Sequence, residues 1–180
     1  MKNRTNLLSA TVAVLIVSHI AFPMMARAQD APSARKQDFE DSARWVDLPP
    51  GYKWLEKGGV SEGACIVIER ENKSDYGTLG IIKLINPEPG TYRMSADMKV
   101  EEFGDGGAVG CVYIDLYQES KYVSIQPKGF SSGPTGGTWV KVEGEVVIPE
   151  GVTVGWVGAI IPKGSTGKVS VDNLVFQKVK

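Results

Sequence analysis

The sequence predicts an all-β protein, an antiparallel two-sheet β-sandwich with the strand number of a jelly roll. Three observations carry that expectation. Eight stretches of strand length are rich in β-branched and aromatic residues, Gly- and Pro-bearing turns separate them, and no window shows apolar residues at helical spacing between caps. Short strands with regular punctuation suit a sandwich, in which each strand buries one face against the opposite sheet.

In chain order the eight are "ACIVIER" (64–70), "TLGIIKLI" (78–85), "TYRMSADMKVEE" (91–102), "GAVGCVYIDLYQ" (107–118), "KYVSIQ" (121–126), "TWVKVEGEVVI" (138–148), "VTVGWVGAII" (152–161) and "KVSVDNLVFQKV" (168–179). Turn residues stand between them, as in Asn86-Pro87-Glu88-Pro89-Gly90 and Pro149-Glu150-Gly151. Alternation assigns the faces. In 91–102, Tyr92, Met94, Ala96, Met98 and Val100 point inward, against Arg93, Ser95, Asp97, Lys99 and Glu101. In 107–117, Val112, Ile114 and Leu116 oppose Cys111, Tyr113, Asp115 and Tyr117. In 138–148, Val140, Val142, Val146 and Ile148 oppose Trp139, Lys141, Glu143 and Glu145. The last strand raises a question of its own. Val169 and Val171 alternate with Lys168 and Ser170, then Asp172 and Asn173 interrupt just before Leu174, Val175 and Phe176. A carboxylate entering an apolar stretch needs a partner, because an unpaired buried charge is costly.

Residues 1–28 have the three regions of an export signal: Lys2 and Arg4, an apolar run from Leu7 to Phe22, and the small-x-small site Ala26-Arg27-Ala28. A retained anchor is the alternative; Ser9, Thr11, Ser18 and His19 interrupt its apolar run. The expectation is cleavage after Ala28, a secreted or periplasmic protein, a flexible leader at 29–37 and one domain at 38–180. Cleavage would remove Lys2, Arg4 and Arg27, leaving seventeen basic residues against twenty-one acidic ones, a net charge of −4. That balance argues against nucleic acid as a partner. No membrane contact is expected after cleavage, and the chain is expected to act as a monomer. The same cut removes His19, the only histidine, and with it the usual base of Ser-His-Asp or Cys-His catalysis and the imidazole of zinc sites. Cys65 and Cys111 remain; in an oxidising compartment they read as a disulfide, with two buried thiols as the alternative.

The closing third, "GTWVKVEGEVVIPEGVTVGWVGAIIPKGSTGKVSVDNLVF", has a recognisable order: a Thr-Trp opening, a valine-rich strand ending in Pro-x-Gly, a second strand, a glycine-bearing turn, and a last strand with an Asp before its apolar end. It resembles the secreted carbohydrate-binding modules of the family 4/9/22 kind, within the galactose-binding-like jelly rolls. "DFEDSARW" (38–45) is similar to the opening of these modules and "PGTYRMSADMKV" (89–100) to their central strand, so the resemblance spans roughly 38–178.

The resemblance implies that Asp172 helps hold a structural Ca²⁺, with Glu40 of the Phe-Glu pair as the amino-terminal carboxylate. Hard oxygen ligands suit that ion. The alternative for Asp172 is a bulge cap accepting backbone N–H bonds beside Asn173. The resemblance also makes Trp139 a packing residue. For a polysaccharide or oligosaccharide ligand, the chemistry wanted is aromatic surface flanked by hydrogen-bonding groups. Tyr113, Asp115 and Tyr117 share one strand face, and Trp156 stands between Gly155 and Gly158 with room beside it. Arg93, Asp97 and Lys99 are expected to face the same way from the neighbouring strand. Packing under a loop is the alternative for the tyrosines. Trp45 and Trp54 either build one end of a groove or belong to the core. Glycoside hydrolysis needs two carboxylates, and Asp97 with Asp115 is the pair to consider; nothing in the sequence surrounds them with the apolar pocket an acid catalyst needs. The reading is therefore a non-catalytic binding module, with a structural or protein-interaction sandwich as its alternative.

Overall fold

Eleven strands run through the chain in the order β1 (Arg35–Gln37), β2 (Tyr52–Leu55), β3 (Cys65–Arg70), β4 (Leu79–Ile85), β5 (Gly90–Glu101), β6 (Gly110–Gln118), β7 (Lys121–Val123), β8 (Gly129–Ser132), β9 (Val140–Ile148), β10 (Val154–Ile160) and β11 (Gly167–Lys178). They come from a computed structural model that describes residues 34–73, 78–102 and 107–179. The predicted signal segment 1–28 and leader residues 29–33 lie outside the described residues. All eight predicted strands are present, and β1, β2 and β8 are additional.

Two antiparallel sheets result. The first has the order β2-β3-β11-β5-β9, with β1 also on β11; the second has the order β4-β10-β6-β7, with β8 also on β6. From β3 to β6 the chain passes from the first sheet to the second, back, and over again, and it alternates likewise from β9 to β11. Such crossings make a jelly roll rather than a stack of hairpins. The inward faces meet as the alternation predicts. Met94, Met98 and Val100 of β5, Ile66 and Ile68 of β3, and Val169 and Val171 of β11 pack toward Val112, Ile114 and Leu116 of β6, Leu84 of β4 and Val157 of β10, all buried.

The leader expectation needs correction at its end. Residues 35–37 form β1, with Arg35, Lys36 and Gln37 opposite Phe176, Val175 and Leu174. The reason lies in β11. Its first half pairs with β3 only as far as Val171, opposite Ile66, and the edge beyond would otherwise leave backbone groups unpaired. A three-residue strand carries too little alternation to be read from sequence. Gln37 is buried there and accepts a hydrogen bond from Arg44 Nη1 at 2.9 Å.

The interruption in β11 is a bulge. Asp172 lies opposite Asp97 and Val175 opposite Ser95, so the register shifts between them, and Asn173 takes a φ of 48°. The extra residue lets Leu174 and Phe176 face inward after Val171, leaving Val175 half-buried on the outer side.

The predicted disulfide is contradicted: Cys65 and Cys111 are both free. Both point outward, as alternation indicated, but from β3 of the first sheet and β6 of the second. Packed sheets lie roughly 10 Å apart, so thiols on opposite outer faces are far beyond the reach of a bridge. Burial, and then the neighbouring Asp172 carboxylate, pushes the Cys65 thiol up to about 11; burial also raises Cys111.

Candidate functional site

The outer face of the second sheet gathers the aromatic residues. β6 presents Tyr113, Asp115 and Tyr117, and β10 pairs with it so that Trp156 lies opposite Asp115, Gly158 opposite Tyr113 and Val154 opposite Tyr117. Two glycines determine how the rings lie. A Cβ at Gly80 of β4 would meet Trp156 Cε3 at 2.6 Å, and one at Gly158 would meet Tyr113 Cε1 at 3.0 Å. Each ring therefore packs against backbone of the next strand that carries no side chain. Tyr113 is buried by this packing, whereas Trp156 and Tyr117 remain half-exposed.

Two adjoining cavities share Tyr113 and Asp115. One, of about 340 Å³, is completed by Thr78, Gly80, Tyr117 and Trp156. The other, of about 410 Å³, runs past the 126–129 loop toward Ile160, Pro162 and Lys163. Both volumes fall within the range of roughly 300–1,000 Å³ usual for ligand sites. Lys128 in the wall, and Tyr122 and Lys83 beside it, are groups that sequence reasoning did not single out. Tyr122 of β7 lies opposite Tyr117, edge-on at 5.8 Å between ring centres. Lys128 Nζ lies 3.8 Å from Asp115 Oδ1 and 5.8 Å from the centre of the Tyr122 ring. Lys83 Nζ is 5.3 Å from the centre of the Trp156 ring. A lone lysine in the apolar run "TLGIIKLI" is the signal that could have found Lys83.

Arg93, Asp97 and Lys99 do not join this face. They stand on β5 in the first sheet and point outward on the opposite side of the sandwich. There Arg93 Nη2 pairs with Glu145 at 3.7 Å, Asp97 accepts a hydrogen bond from Asn173 Nδ2 at 2.9 Å, and Lys99 Nζ lies 5.4 Å from the centre of the Trp139 ring. The expectation that they line one groove with Tyr113 is corrected: β5 and β6 follow one another in sequence but belong to different sheets. The same separation parts Asp97 from Asp115.

Asp172 and Glu40 meet at the 59–64 loop. Asp172 Oδ2 accepts the Val60 N–H at 2.9 Å and Oδ1 the Asn173 N–H at 2.6 Å, while Glu40 Oε1 accepts the Ala64 N–H at 3.0 Å. A Cβ at Gly59 would lie 2.6 Å from the Ala64 carbonyl oxygen and 2.8 Å from both the Gly63 carbonyl oxygen and Asp172 Oδ2. Glycine thus keeps open a cradle of oxygens. Burial raises the Asp172 carboxyl above its ordinary range, the two N–H bonds oppose that rise, and the charges of Asp97 and Glu40 add to it. Among the described residues no cluster of three or more His, Cys, Asp or Glu side chains is arranged to hold a metal ion, so a cation here would draw on backbone carbonyls as well. Two carboxylates with carbonyl oxygens between them fit the donor chemistry of Ca²⁺.

The remaining tryptophans are structural. Trp45 is buried against Phe39, with 5.2 Å between ring centres, and Trp54 Nε1 donates to the Phe39 carbonyl at 2.8 Å. Neither lines the two cavities, which resolves the choice between groove and core.

No family model and no curated protein matches the sequence. Likeness appears in three dimensions. The CBM22-1 xylan-binding domain of Paenibacillus barcinonensis Xyn10C superposes with a TM-score of 0.57 at 14% identity, covering 83% of this chain and 97% of that domain. The C-terminal family 22 carbohydrate-binding module of Clostridium thermocellum Xyn10B gives 0.53 at 16% identity, over 80% and 91%. The CBM22-1–GH10 modules of the Clostridium thermocellum xylanase, complexed with xylohexaose, give 0.50 at 14% identity; 72% of this chain is covered, but only 24% of that two-module chain. At such identities the shared property is the fold. The chain has the jelly-roll fold of the carbohydrate-binding modules.

Proposed function

We propose that this chain is a non-catalytic carbohydrate-binding domain that holds an oligosaccharide, or a stretch of polysaccharide, in the groove on the outer face of its second sheet. One observation carries the reading: Trp156, Tyr113 and Tyr117 stand on adjacent strands of one face with Asp115 in register among them, above two adjoining cavities. Sugar rings offer apolar C–H faces that an indole or phenol ring can cover, and hydroxyls that a carboxylate or phenol oxygen can satisfy. The fold, shared with xylan-binding modules, supports the same reading, as does the export signal read at 1–28. Among the described residues that line the groove the single carboxylate is Asp115, whereas hydrolysis of a glycosidic bond ordinarily takes two.

Calcium is the second part of the proposal. Asp172 and Glu40 would hold the ion together with carbonyls of the 59–64 loop. Its charge would offset the repulsion among Asp172, Glu40 and Asp97 and tie the amino-terminal segment to β11. The groove is complete within one chain, which suits an exported monomer.

The test is a glycan array with neutral and acidic polysaccharides, run on wild type and on Trp156→Ala. Discrete hits that vanish in the variant support the reading. Silence of the wild type across the array removes it and leaves a structural or protein-interaction sandwich.

A further inference from the structure

The groove differs from the rest of the molecule in its charge. Lys128 and Lys163 line it, and Lys83 stands beside Trp156 at its other end; Asp115 is the acid among the described lining residues. Three ammonium groups thus face one carboxylate, in a chain whose formal net charge is −1. Elsewhere some lysines are matched, while Lys36, Lys57, Lys73, Lys99 and Lys121 make no ion pair among the described residues. On the outer face of the first sheet Lys53 pairs with Glu69 at 2.6 Å, Lys141 with Glu143 at 3.2 Å and Lys168 with Glu101 at 3.5 Å. Lys83 and Lys163 make no ion pair among the described residues.

We infer that the groove selects an acidic oligosaccharide, one with carboxylates on its sugar rings, over a neutral one. The inference rests on the carbohydrate-binding reading and narrows it. A ligand that fills the cavities takes water from the lysines along the walls. A neutral sugar returns hydroxyls, which hydrogen-bond to an ammonium but do not balance its charge. A uronate returns a carboxylate, and charge-assisted hydrogen bonds are roughly twice as strong as neutral ones. Lys83 can make the exchange at small cost, since its ammonium lies by the Trp156 ring with no ion pair among the described residues, and exposed cation–π contacts are weak. Sugar stacking on Trp156 would displace that ammonium from the ring, and a ring-borne carboxylate would receive it. Lys128 already spans Asp115 and Tyr122, so it can fix the polarity of the chain that lies beside it.

Two matched pairs of probes test this by calorimetric titration of the purified protein: an oligogalacturonate against its carboxyl-reduced form, and a xylo-oligosaccharide bearing a glucuronic acid branch against the unbranched chain. In at least one pair the acidic member should bind about tenfold tighter at low salt, the product of a few exposed ion pairs. The advantage should shrink to about threefold or less near 0.5 M NaCl, where screening is short-ranged. A Lys83→Gln/Lys163→Gln double variant, with an unchanged melting curve, should bring the acid-to-neutral ratio toward one. Neutral members that bind as tightly as acidic ones, or a preference indifferent to salt and to the double variant, would overturn this inference and leave the carbohydrate-binding reading standing. Absence of binding by all four probes and by every glycan on the array would end both.

Discussion

The two outer faces of the sandwich are built from the same strand geometry and put it to different uses. On the first sheet several outward charges are matched across strands, and Lys53–Glu69, Lys168–Glu101 and Arg93–Glu145 satisfy one another in solvent. Exposed pairs of this kind contribute little stability, at most about 1 kcal/mol each. On the second sheet the outward positions are aromatic rings packed on glycine, with lysines in excess of acids. Away from the Asp172–Asp97 bulge the first face matches its own charges; the second has aromatic surface and charge that a ligand would complete.

Removing Tyr113 should have the largest effect. It is buried against Gly158, so Tyr113→Ala should cost on the order of 3 kcal/mol in urea denaturation. Trp139→Ala, on the first face, should cost distinctly less, since Trp139 is half-exposed. Equal losses would erase the contrast in packing between the faces.

Calcium comes next. A native-state ligand at a hundredfold excess over its Kd adds about 2.7 kcal/mol, so chelator should lower the melting temperature and calcium restore it. Asp172→Asn should answer to neither. The pH dependence follows from the raised Asp172 carboxyl. The folded state holds that proton more tightly than the unfolded chain, whose Asp titrates near about 3.9. The resulting stabilisation is full below that value and is lost as pH rises through the raised folded value. In chelator, then, wild type should lose stability relative to Asp172→Asn over that interval, and calcium should abolish the loss. A wild type indifferent to chelator would return Asp172 to a bulge-stabilising acceptor.

Binding should separate the faces more sharply than stability does. Trp156→Ala should weaken glycan binding by about 2 kcal/mol, the scale of an aromatic hot spot, whereas Arg93→Ala and Lys99→Ala should leave it unchanged. Loss of binding from the β5 substitutions would move the site to the other sheet.

The smallest expected effect is that of reductant, which is none. Thiol labelling of the non-reduced, denatured protein should modify both cysteines. In the native state Cys111, half-exposed beside the groove, should react faster than the buried Cys65. A protein whose melting shifts with reductant would contradict the separation of the two thiols by the sandwich.

The sequence by itself determined eight of the strands and which side of its own sheet their side chains take, but not the short β1, β2 and β8. The alternation in 91–102, 107–117 and 138–148 reappears in the burial of Met94, Ile114 and Val146. It also brought forward Tyr113, Asp115, Tyr117 and Trp156, which the structure places on one face, and Asp172 and Glu40, which both accept hydrogen bonds from the 59–64 loop. Which sheet a strand enters was decided only by the tertiary structure. Period-two alternation is local, a property of a few residues of extended backbone, and reads the same in either sheet. Sheet membership depends on pairing between strands distant in sequence, such as β11 with both β3 and β5. That is why Arg93, Asp97 and Lys99, correctly read as outward, lie on the wrong side of the molecule for the groove. Cys65 and Cys111, also outward, face away from each other for the same reason. Lys83 and Gly80 acquire meaning only once β4 lies beside β10, where one reaches the Trp156 ring and the other leaves room for it.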